Sequence, residues 1–403
     1  MKRIFSIAIF YFIVLFSVNA QVKTGVWRAA ILNVGGQIPF GLDIQQYKED
    51  YRVLAINGKE RLLMDNSFIK NDSLHIPMDM FDAEIIAKVS GDKMTGIFKK
   101  KRSDLSLLTA PFMAEFGKTY RFAEPSNEAK QNVTGKWAVT FGTDKPKKAV
   151  GVFEQKGNVI TGTFLTPTGD YRYLDGNMIG DSLFLSAFDG SHVFLFKAKI
   201  ENDKMLGGQF WSNYNGFDKW VGNRDETAAL PPPTALTYLK EGHKTIAFSF
   251  KNAQNKTVSL SDAKYQGKVV VVQIMGSWCP NCMDESRFLA PWYNKNKKRG
   301  VEVIGLTFEK SLDSAFFAYP KMRKMIQRFG INYEVLLAGT NDANAGRALP
   351  MLNKIAGYPS TIFIDKKGLV REIHTGFSGP GTGKYYDEFV EDFNRLIDKL
   401  VAE

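Results

Sequence analysis

A sequence repeat in the first half of the chain limits its possible folds more than any other feature. Three short motifs recur in the same order about 110 residues apart. The motif pairs are TGVW at 24–27 with TGKW at 134–137, NDSL at 71–74 with GDSL at 180–183, and GDKMTGIF at 91–98 with NDKMLGGQF at 202–210. Since three matches at one spacing are hard to obtain by chance, the sequence predicts two copies of one structural unit.

Each copy consists of short stretches in which apolar and polar residues alternate, broken by Gly, Asn and Asp. GVFEQKGNVITGTF at 151–164 is one example. A period of two with turn residues between the stretches predicts antiparallel hairpin strands. We expect one β-rich unit at residues 21–124 and a second at 132–223, each an antiparallel meander or small barrel. The sequence leaves open whether the copies are separate barrels or halves of one sheet system.

The pattern changes after the second copy. Residues 224–244 include three consecutive prolines, which favour an extended, semi-rigid linker. Beyond them, uniformly apolar runs such as KVVVVQI at 268–274 are typical of strands buried on both faces. The last residues place Phe389, Phe393 and Ile397 on one face of an amphipathic helix. Residues 245–403 are therefore predicted to form an α/β domain with a mixed sheet covered on both faces.

The N-terminus has the features of a secretory signal. Two basic residues precede an apolar run over 4–18, and small residues lead to Ala20. This pattern predicts a signal peptide of residues 1–20, cleaved after Ala20, and export of the mature chain. A membrane anchor is the alternative, although the run is short for a membrane span of about 20 residues. A lipoprotein anchor is excluded because no cysteine follows the run.

The net charge of +11 comes from lysines and arginines that are scattered along the chain. They do not form the basic and aromatic motifs of a nucleic-acid-binding module, so we expect no nucleic-acid partner.

Cys279 and Cys282, in the motif WCPNC, are the only cysteines of the chain. A disulfide that closes so short a loop removes little entropy from the unfolded chain, so it would be a poor structural staple. A structural zinc site needs four ligands, and the four histidines form no ligand-like pattern, so we expect no metal. Attachment of a c-type haem needs a histidine where Met283 stands.

The position of the pair favours redox chemistry. It follows the predicted central strand and precedes a predicted helix, so Cys279 would be the N-cap and Pro280 the first helical residue. The helix dipole and free N–H groups would stabilise the Cys279 thiolate, the form that attacks disulfides. Cys282, on the inner side of the first turn, would resolve the mixed disulfide.

These motifs resemble a known family. GSWCPNCMDE at 276–285, followed by GYPSTIFID at 357–365, resembles the thioredoxin superfamily, and more narrowly its exported TlpA/ResA-like thiol–disulfide oxidoreductases, as found in Bacteroidetes. The resemblance covers roughly residues 245–403 and implies a thioredoxin fold with a cis bond between Tyr358 and Pro359. It also implies that Glu285, three residues after Cys282, helps to move protons. An ordinary solvated glutamate in the first helical turn is the alternative for Glu285.

The resemblance implies a periplasmic protein-disulfide reductase that needs no cofactor besides its own Cys279–Cys282 disulfide. The expected substrate-binding residues around this pair are Trp278, Pro280, Asn281, Tyr358 and Pro359. The implied partners are disulfide-bearing proteins and a membrane electron donor of the DsbD/CcdA type, with cytochrome c maturation as one setting. Oxidation and isomerisation stay open as directions. A rival hypothesis is a binding protein that acts through its β repeats and uses the thioredoxin domain as a redox sensor or recruiter.

Overall fold

A computed structural model describes most of the chain in three sheets and three α-helices. The described residues are 22–102, 106–125, 128–213, 215–312 and 318–403. The predicted signal peptide lies outside these residues. Within the described ranges, no helix combines the length and apolar character that a membrane span requires.

The first β unit is a curved, open sheet of nine antiparallel strands. They are β1 (Gly25–Asn33), β2 (Gly36–Tyr47), β3 (Asp50–Asn57), β4 (Glu60–Leu63), β5 (Phe68–Lys70), β6 (Ser73–Met78), β7 (Ala83–Ser90), β8 (Lys93–Lys101) and β9 (Leu107–Phe116). The spatial order is β4-β3-β2-β1-β9-β8-β7-β6-β5, which leaves β4 and β5 at the edges. Burial alternates along β3 and β7, because successive side chains point to opposite faces of a sheet.

The second β unit closes into a barrel. Its strands are β10 (Gly135–Phe141), β11 (Lys147–Lys156), β12 (Val159–Thr166), β13 (Gly169–Asp170), β14 (Leu174–Ile179), β15 (Ser182–Phe188), β16 (Val193–Glu201), β17 (Lys204–Ser212) and β18 (Gly216–Arg224). Closure occurs because β11 pairs with both β10 and β12, so eight strands form the ring and β13 is a short addition. An eight-stranded barrel is just wide enough for side chains to fill, and here aromatic rings such as Phe164, Phe196 and Trp220 fill it.

The repeat has a structural counterpart. Trp27 and Trp137, which belong to the first repeated motif, are both fully buried near the start of their units. Each indole donates a hydrogen bond to the carbonyl four residues earlier, Trp27 to Lys23 at 2.9 Å and Trp137 to Val133 at 2.8 Å. The prediction of two β-rich units is confirmed, and the question that the sequence left open is answered by two separate sheets.

The third sheet is mixed and has seven strands. Its elements are β19 (Ser249–Asn252), β20 (Thr257–Ser259), β21 (Val269–Met275), α1 (Pro280–Asn296), β22 (Val301–Glu309), α2 (Ala318–Phe329), β23 (Glu334–Thr340), β24 (Ser360–Ile364), β25 (Val370–Thr375) and α3 (Lys384–Ala402). The order is β20-β19-β23-β22-β21-β24-β25, with β21, β22 and β23 parallel. This is the predicted thioredoxin-like α/β domain.

Strand β21 lies in the middle of this sheet, and all of its residues are buried. Val269 and Val271 belong to the apolar cluster that contains the three helices, whereas Val270 and Val272 belong to the cluster on the opposite face. The helix-side cluster continues into the core of the first β unit. The active-site helix α1, which follows β21, therefore lies between its own sheet and the β units.

Candidate active site

The two cysteines lie where β21 leads into α1, and they form a disulfide with Cα atoms 5.3 Å apart. Cys279 is the N-cap of α1 in an extended conformation, and Pro280 is the first helical residue. The backbone N–H of Cys282 points to the Cys279 sulfur at 3.2 Å. The free N–H groups and positive dipole end of a helix stabilise negative charge at such a position. The local geometry is thus the one that the sequence predicts.

The turn before the cysteines is held by β22. The buried carboxylate of Glu309 accepts hydrogen bonds from the Ser277 backbone N–H at 3.0 Å and from the Ser277 hydroxyl at 2.6 Å. The Trp278 indole donates to the carbonyl of Phe308 at 2.8 Å. These bonds fix the half-buried Trp278 ring beside Tyr358, with ring centroids 5.5 Å apart in an edge-to-face contact.

The peptide bond between Tyr358 and Pro359 is cis. It directly precedes β24, which pairs with the central strand β21. The Tyr358 carbonyl oxygen lies 3.6 Å from the Cys279 sulfur. The chain therefore presents backbone polar groups next to the sulfur that would attack a substrate disulfide.

Glu285 is a buried carboxyl group inside the domain, only 1% exposed. Thr361 donates its hydroxyl to Glu285 Oε1 at 2.6 Å, and the Gln273 amide donates to Oε2 at 2.7 Å. Burial raises the pKa of Glu285 to about 7, although these two hydrogen bonds act in the opposite direction. Neither hydrogen-bond partner carries a positive charge that would offset the effect of burial. Because its pKa lies near neutral pH, Glu285 can bind and release a proton there. A solvated glutamate, the alternative that the sequence left open, does not describe this position.

Gln273 connects Glu285 to the cysteines, and sequence reasoning missed it. Its amide nitrogen, besides bonding Glu285, lies 3.4 Å from the carbonyl oxygen of Cys282. Its amide oxygen accepts a hydrogen bond from Ser286 at 3.3 Å. The available signal was a single polar residue in the apolar run VVVVQIM of β21. A polar side chain at a fully buried strand position needs internal partners, and here those partners include Glu285.

Asn281 does not face open solvent. Its side-chain amide donates to the carbonyl of Asp170, a residue of the second β unit, at 3.0 Å. The Asp170 carboxylate accepts from the backbone N–H groups of Gly379 at 2.7 Å and Arg172 at 2.6 Å. Burial raises the pKa of Asp170 to about 6. The side chain of Asn281, one of the predicted substrate-binding residues, is therefore hydrogen-bonded to another part of the same chain.

Arg172 is a second residue that sequence reasoning missed, and it connects all three parts of the molecule. Its guanidinium pairs with Glu60 of the first β unit and Asp284 of α1, and lies 3.4 Å from Asp189 of the second unit. It also donates to the Pro280 carbonyl, between the two cysteines, at 3.2 Å. Nothing in the local sequence marks this arginine, because its partners Glu60 and Asp284 are each more than a hundred residues away in the sequence.

No group of three or more His, Cys, Asp or Glu side chains in the described part of the chain is arranged to hold a metal ion. The chemistry available at this site is that of the cysteine pair, the buried Glu285 and the surrounding hydrogen-bond donors and acceptors.

Comparisons with known proteins find relatives of the C-terminal domain. The model of the AhpC/TSA family matches residues 242–373. Thiol-disulfide oxidoreductase ResA of Geobacillus kaustophilus is 31% identical over 146 residues, which cover 36% of this chain and 74% of the relative. Thiol:disulfide interchange protein DsbE of Haemophilus influenzae is 29% identical over 147 residues, which cover 36% of this chain and 68% of the relative.

A solved structure of a thioredoxin-family thiol:disulfide interchange protein from Chlorobium tepidum is also similar. It is 22% identical, with 40% of this chain and 99% of that chain covered and a TM-score of 0.31. The residues that the AhpC/TSA model matches include strand β21, the cysteine pair and the cis-proline motif described above. Through its C-terminal domain, which the AhpC/TSA model matches, the chain belongs to the ResA family of thiol-disulfide oxidoreductases and is similar to DsbE.

Proposed function

We propose that this protein reduces disulfide bonds of other proteins through Cys279 and Cys282. One observation carries the proposal: the Cys279 sulfur caps helix α1 and lies 3.6 Å from the carbonyl oxygen of Tyr358, beside the cis-proline. Here the nucleophile, the helix N-terminus and a backbone segment able to pair with an extended peptide lie together.

The reaction balances as two thiol–disulfide exchanges. In the reduced protein, the Cys279 thiolate attacks one sulfur of a substrate disulfide, which releases the other sulfur as a thiolate and forms a mixed disulfide. Cys282 then loses its proton and attacks Cys279, which releases the second substrate sulfur and forms the Cys279–Cys282 disulfide. The substrate gains two electrons and the protein loses two. A dithiol donor, in our proposal a membrane protein of the DsbD/CcdA type, restores the reduced state.

Glu285 supplies the proton transfer in the second exchange. Cys282 is fully buried, so its proton needs an acceptor within the protein. Glu285 lies one helical turn further along α1, and Gln273 contacts both the Glu285 carboxylate and the Cys282 carbonyl. A carboxyl group with a pKa of about 7 is well suited to accept and return a proton near neutral pH.

We place this activity outside the cytoplasm. The signal-like sequence of residues 1–20 supports export, and the periplasm is a compartment in which disulfides form and persist. A reductase there would need electrons from across the membrane, which is why a membrane donor is part of the proposal.

A Cys282→Ser variant tests the proposal, because it can form the mixed disulfide but cannot resolve it. We expect it to accumulate covalent adducts with disulfide-bearing proteins in the cells that make it, seen as dithiothreitol-sensitive bands on non-reducing gels. The matched Cys279→Ser variant should trap none. The wild-type protein should accelerate the reduction of insulin by dithiothreitol.

If Cys282→Ser traps nothing and the wild-type protein leaves insulin reduction unchanged, the proposal fails. The rival hypothesis of a binding protein that acts through its β units would then gain support.

A further inference from the structure

A loop of the second β unit lies across the active site. We call residues 167–172, which run from the end of β12 through β13, the covering loop. Besides the ion pair of Arg172 with Asp284, three hydrogen bonds attach it to the thioredoxin-like domain. The Asn281 amide donates to the Asp170 carbonyl, the Gly379 backbone N–H donates to the Asp170 carboxylate, and the Arg172 guanidinium donates to the Pro280 carbonyl. Two of the three involve the residues between the cysteines.

The tip of the covering loop packs beside the cis-proline segment. A Cβ atom added to Gly357 would lie 2.8 Å from the Cβ and Cγ2 atoms of Thr168, too close for any real side chain. A Cβ atom added to Gly376 would lie 2.9 Å from the backbone carbon of Thr168. Gly376 in turn donates its N–H to the Pro359 carbonyl at 2.8 Å. The loop thus fits where two glycines leave room next to Pro359.

This position coincides with the place of a substrate. The proposed reaction needs a polypeptide to lie beside Tyr358 while its disulfide meets Cys279, and an extended peptide would use the exposed backbone there. In the structure, however, Cys279 is only 5% exposed, and Thr168 of the covering loop packs against Gly357, which precedes Tyr358, and against Gly376, which binds the Pro359 carbonyl. We therefore expect the loop to restrict the approach of a bulky disulfide to the sulfur.

We propose that the covering loop determines the specificity of this oxidoreductase. It occupies the docking position of the substrate chain, so the enzyme acts on disulfides in extended, flexible segments that displace the loop, and excludes those in rigid folded surfaces. This inference rests on the proposed function and adds the class of substrate.

The attachment of the loop allows such a displacement. Thr168, at the tip, is exposed to solvent, and the tip is held by packing against glycines and by hydrogen bonds to Asp170 from the Asn281 amide and the Gly379 backbone N–H. Arg172, at the base, is bound to Glu60 and Asp189 of the β units themselves, so the base can stay in place while the tip moves.

The reactivity of the Cys279 thiol towards two maleimides of different size tests the inference. Each loop variant is made in the Cys282→Ser protein, which has one thiol, and is labelled with N-ethylmaleimide or with a polyethylene-glycol maleimide. Thr168→Gly removes the side chain that packs on Gly357, and Gly357→Ala adds a methyl group that pushes against it. Thr143→Gly, at an exposed threonine between β10 and β11, is the matched control.

We expect the large reagent to react about tenfold faster in Thr168→Gly and in Gly357→Ala, because its rate follows the fraction of molecules with the loop displaced. The N-ethylmaleimide rate should change less than about threefold, and Thr143→Gly should match the parent protein. An unchanged ratio of the two rates in both loop variants would overturn the inference.

The same loop substitutions in the protein with both cysteines separate this inference from the proposed function. Reduction of oxidised glutathione should be nearly unchanged, while reduction of a disulfide in a folded protein should rise. Failure of every variant to reduce either disulfide would count against the proposed function. Activity on both with an unchanged preference would count against the covering loop alone.

Discussion

The two β units share one repeated sequence, yet they contact the thioredoxin-like domain in different ways. The first unit contacts helix α2 through partly exposed ion pairs, among them Asp82 with Lys321 and Asp65 with Arg328. The second unit contacts the active-site helix through Asp170 and the buried Arg172. The ion pairs of the first copy attach it to α2, whereas the second copy makes hydrogen bonds to the residues between the cysteines.

The hairpin between the third and fourth strands shows how the copies diverged. In the first unit, β3 and β4 are joined by a short turn, and Glu60 at the start of β4 binds Arg172. In the second unit, the equivalent connection between β12 and β13 belongs to the covering loop. The same position of the repeat therefore supplies a structural ion pair in one copy and the cover of the active site in the other.

The largest expected effect comes from removing Arg172. Arg172→Met leaves the buried carboxylates of Glu60, Asp189 and Asp284 without their shared cation, so the free energy of unfolding should fall by about 3–5 kcal/mol. Arg328→Met, the matched change in the anchoring contact, should cost less than about 1 kcal/mol, because Arg328 is partly exposed and Asp65 keeps Lys324 as a partner. Urea unfolding at neutral pH measures both. Equal losses of unfolding free energy in the two variants would contradict the claim that the buried contact of Arg172 stabilises the protein more than the partly exposed contact of Arg328.

The next largest effect is the change in stability with pH that Glu285 causes. Unlike the carboxylates around Arg172, Glu285 is buried without a cation from either β unit, so its ionisation destabilises the folded state. Its folded-state pKa of about 7 lies above the ordinary value of 4.5, so the folded state holds the proton more tightly than the unfolded state. The free energy of unfolding therefore falls as pH rises from 4.5 to 7, by about 3 kcal/mol, and stays lower above pH 7. Glu285→Gln cannot titrate, so it should be more stable than wild type above pH 7 and similar below pH 4.5.

Urea unfolding of both oxidised proteins across this pH range checks the prediction. Asp170 also titrates there, but it is present in wild type and variant, so its contribution cancels in the difference. If the difference in unfolding free energy between the two proteins does not change with pH, the ionisation of Glu285 does not destabilise the folded state and the prediction is wrong.

Much of the architecture could be predicted because it depends on local patterns. Period-two alternation predicts β strands, the repeat predicts two units, and the uniformly apolar β21 predicts a central buried strand. The cysteine pair is a short motif whose main contacts, with the first turn of α1, are near in sequence. The Tyr358–Pro359 motif is expected to be cis because it resembles that of a known family. For this reason the helix N-cap at Cys279 and the cis bond could be expected before the structure was known.

Other features depend on contacts between distant residues and could not be predicted. Closure of the second sheet requires β11 to pair on both sides, which no strand pattern reveals, and the first sheet with a similar pattern stays open. The link from Arg172 to Asp284 joins two domains, and a buried arginine looks like any other in the sequence. The environment of Glu285 depends on Gln273 and Thr361 from two separate strands.

The reduction potential of the Cys279–Cys282 pair tests the central claim most directly, and it can be measured by equilibration with defined dithiothreitol mixtures followed by alkylation. The buried carboxyl of Glu285, one helical turn after Cys282, disfavours ionisation of the Cys282 thiol, and a less stable reduced form is a stronger reductant. We predict a single two-electron transition at a potential of about −270 mV, as for a reductant. A potential of about −120 mV would identify an oxidant and contradict the account.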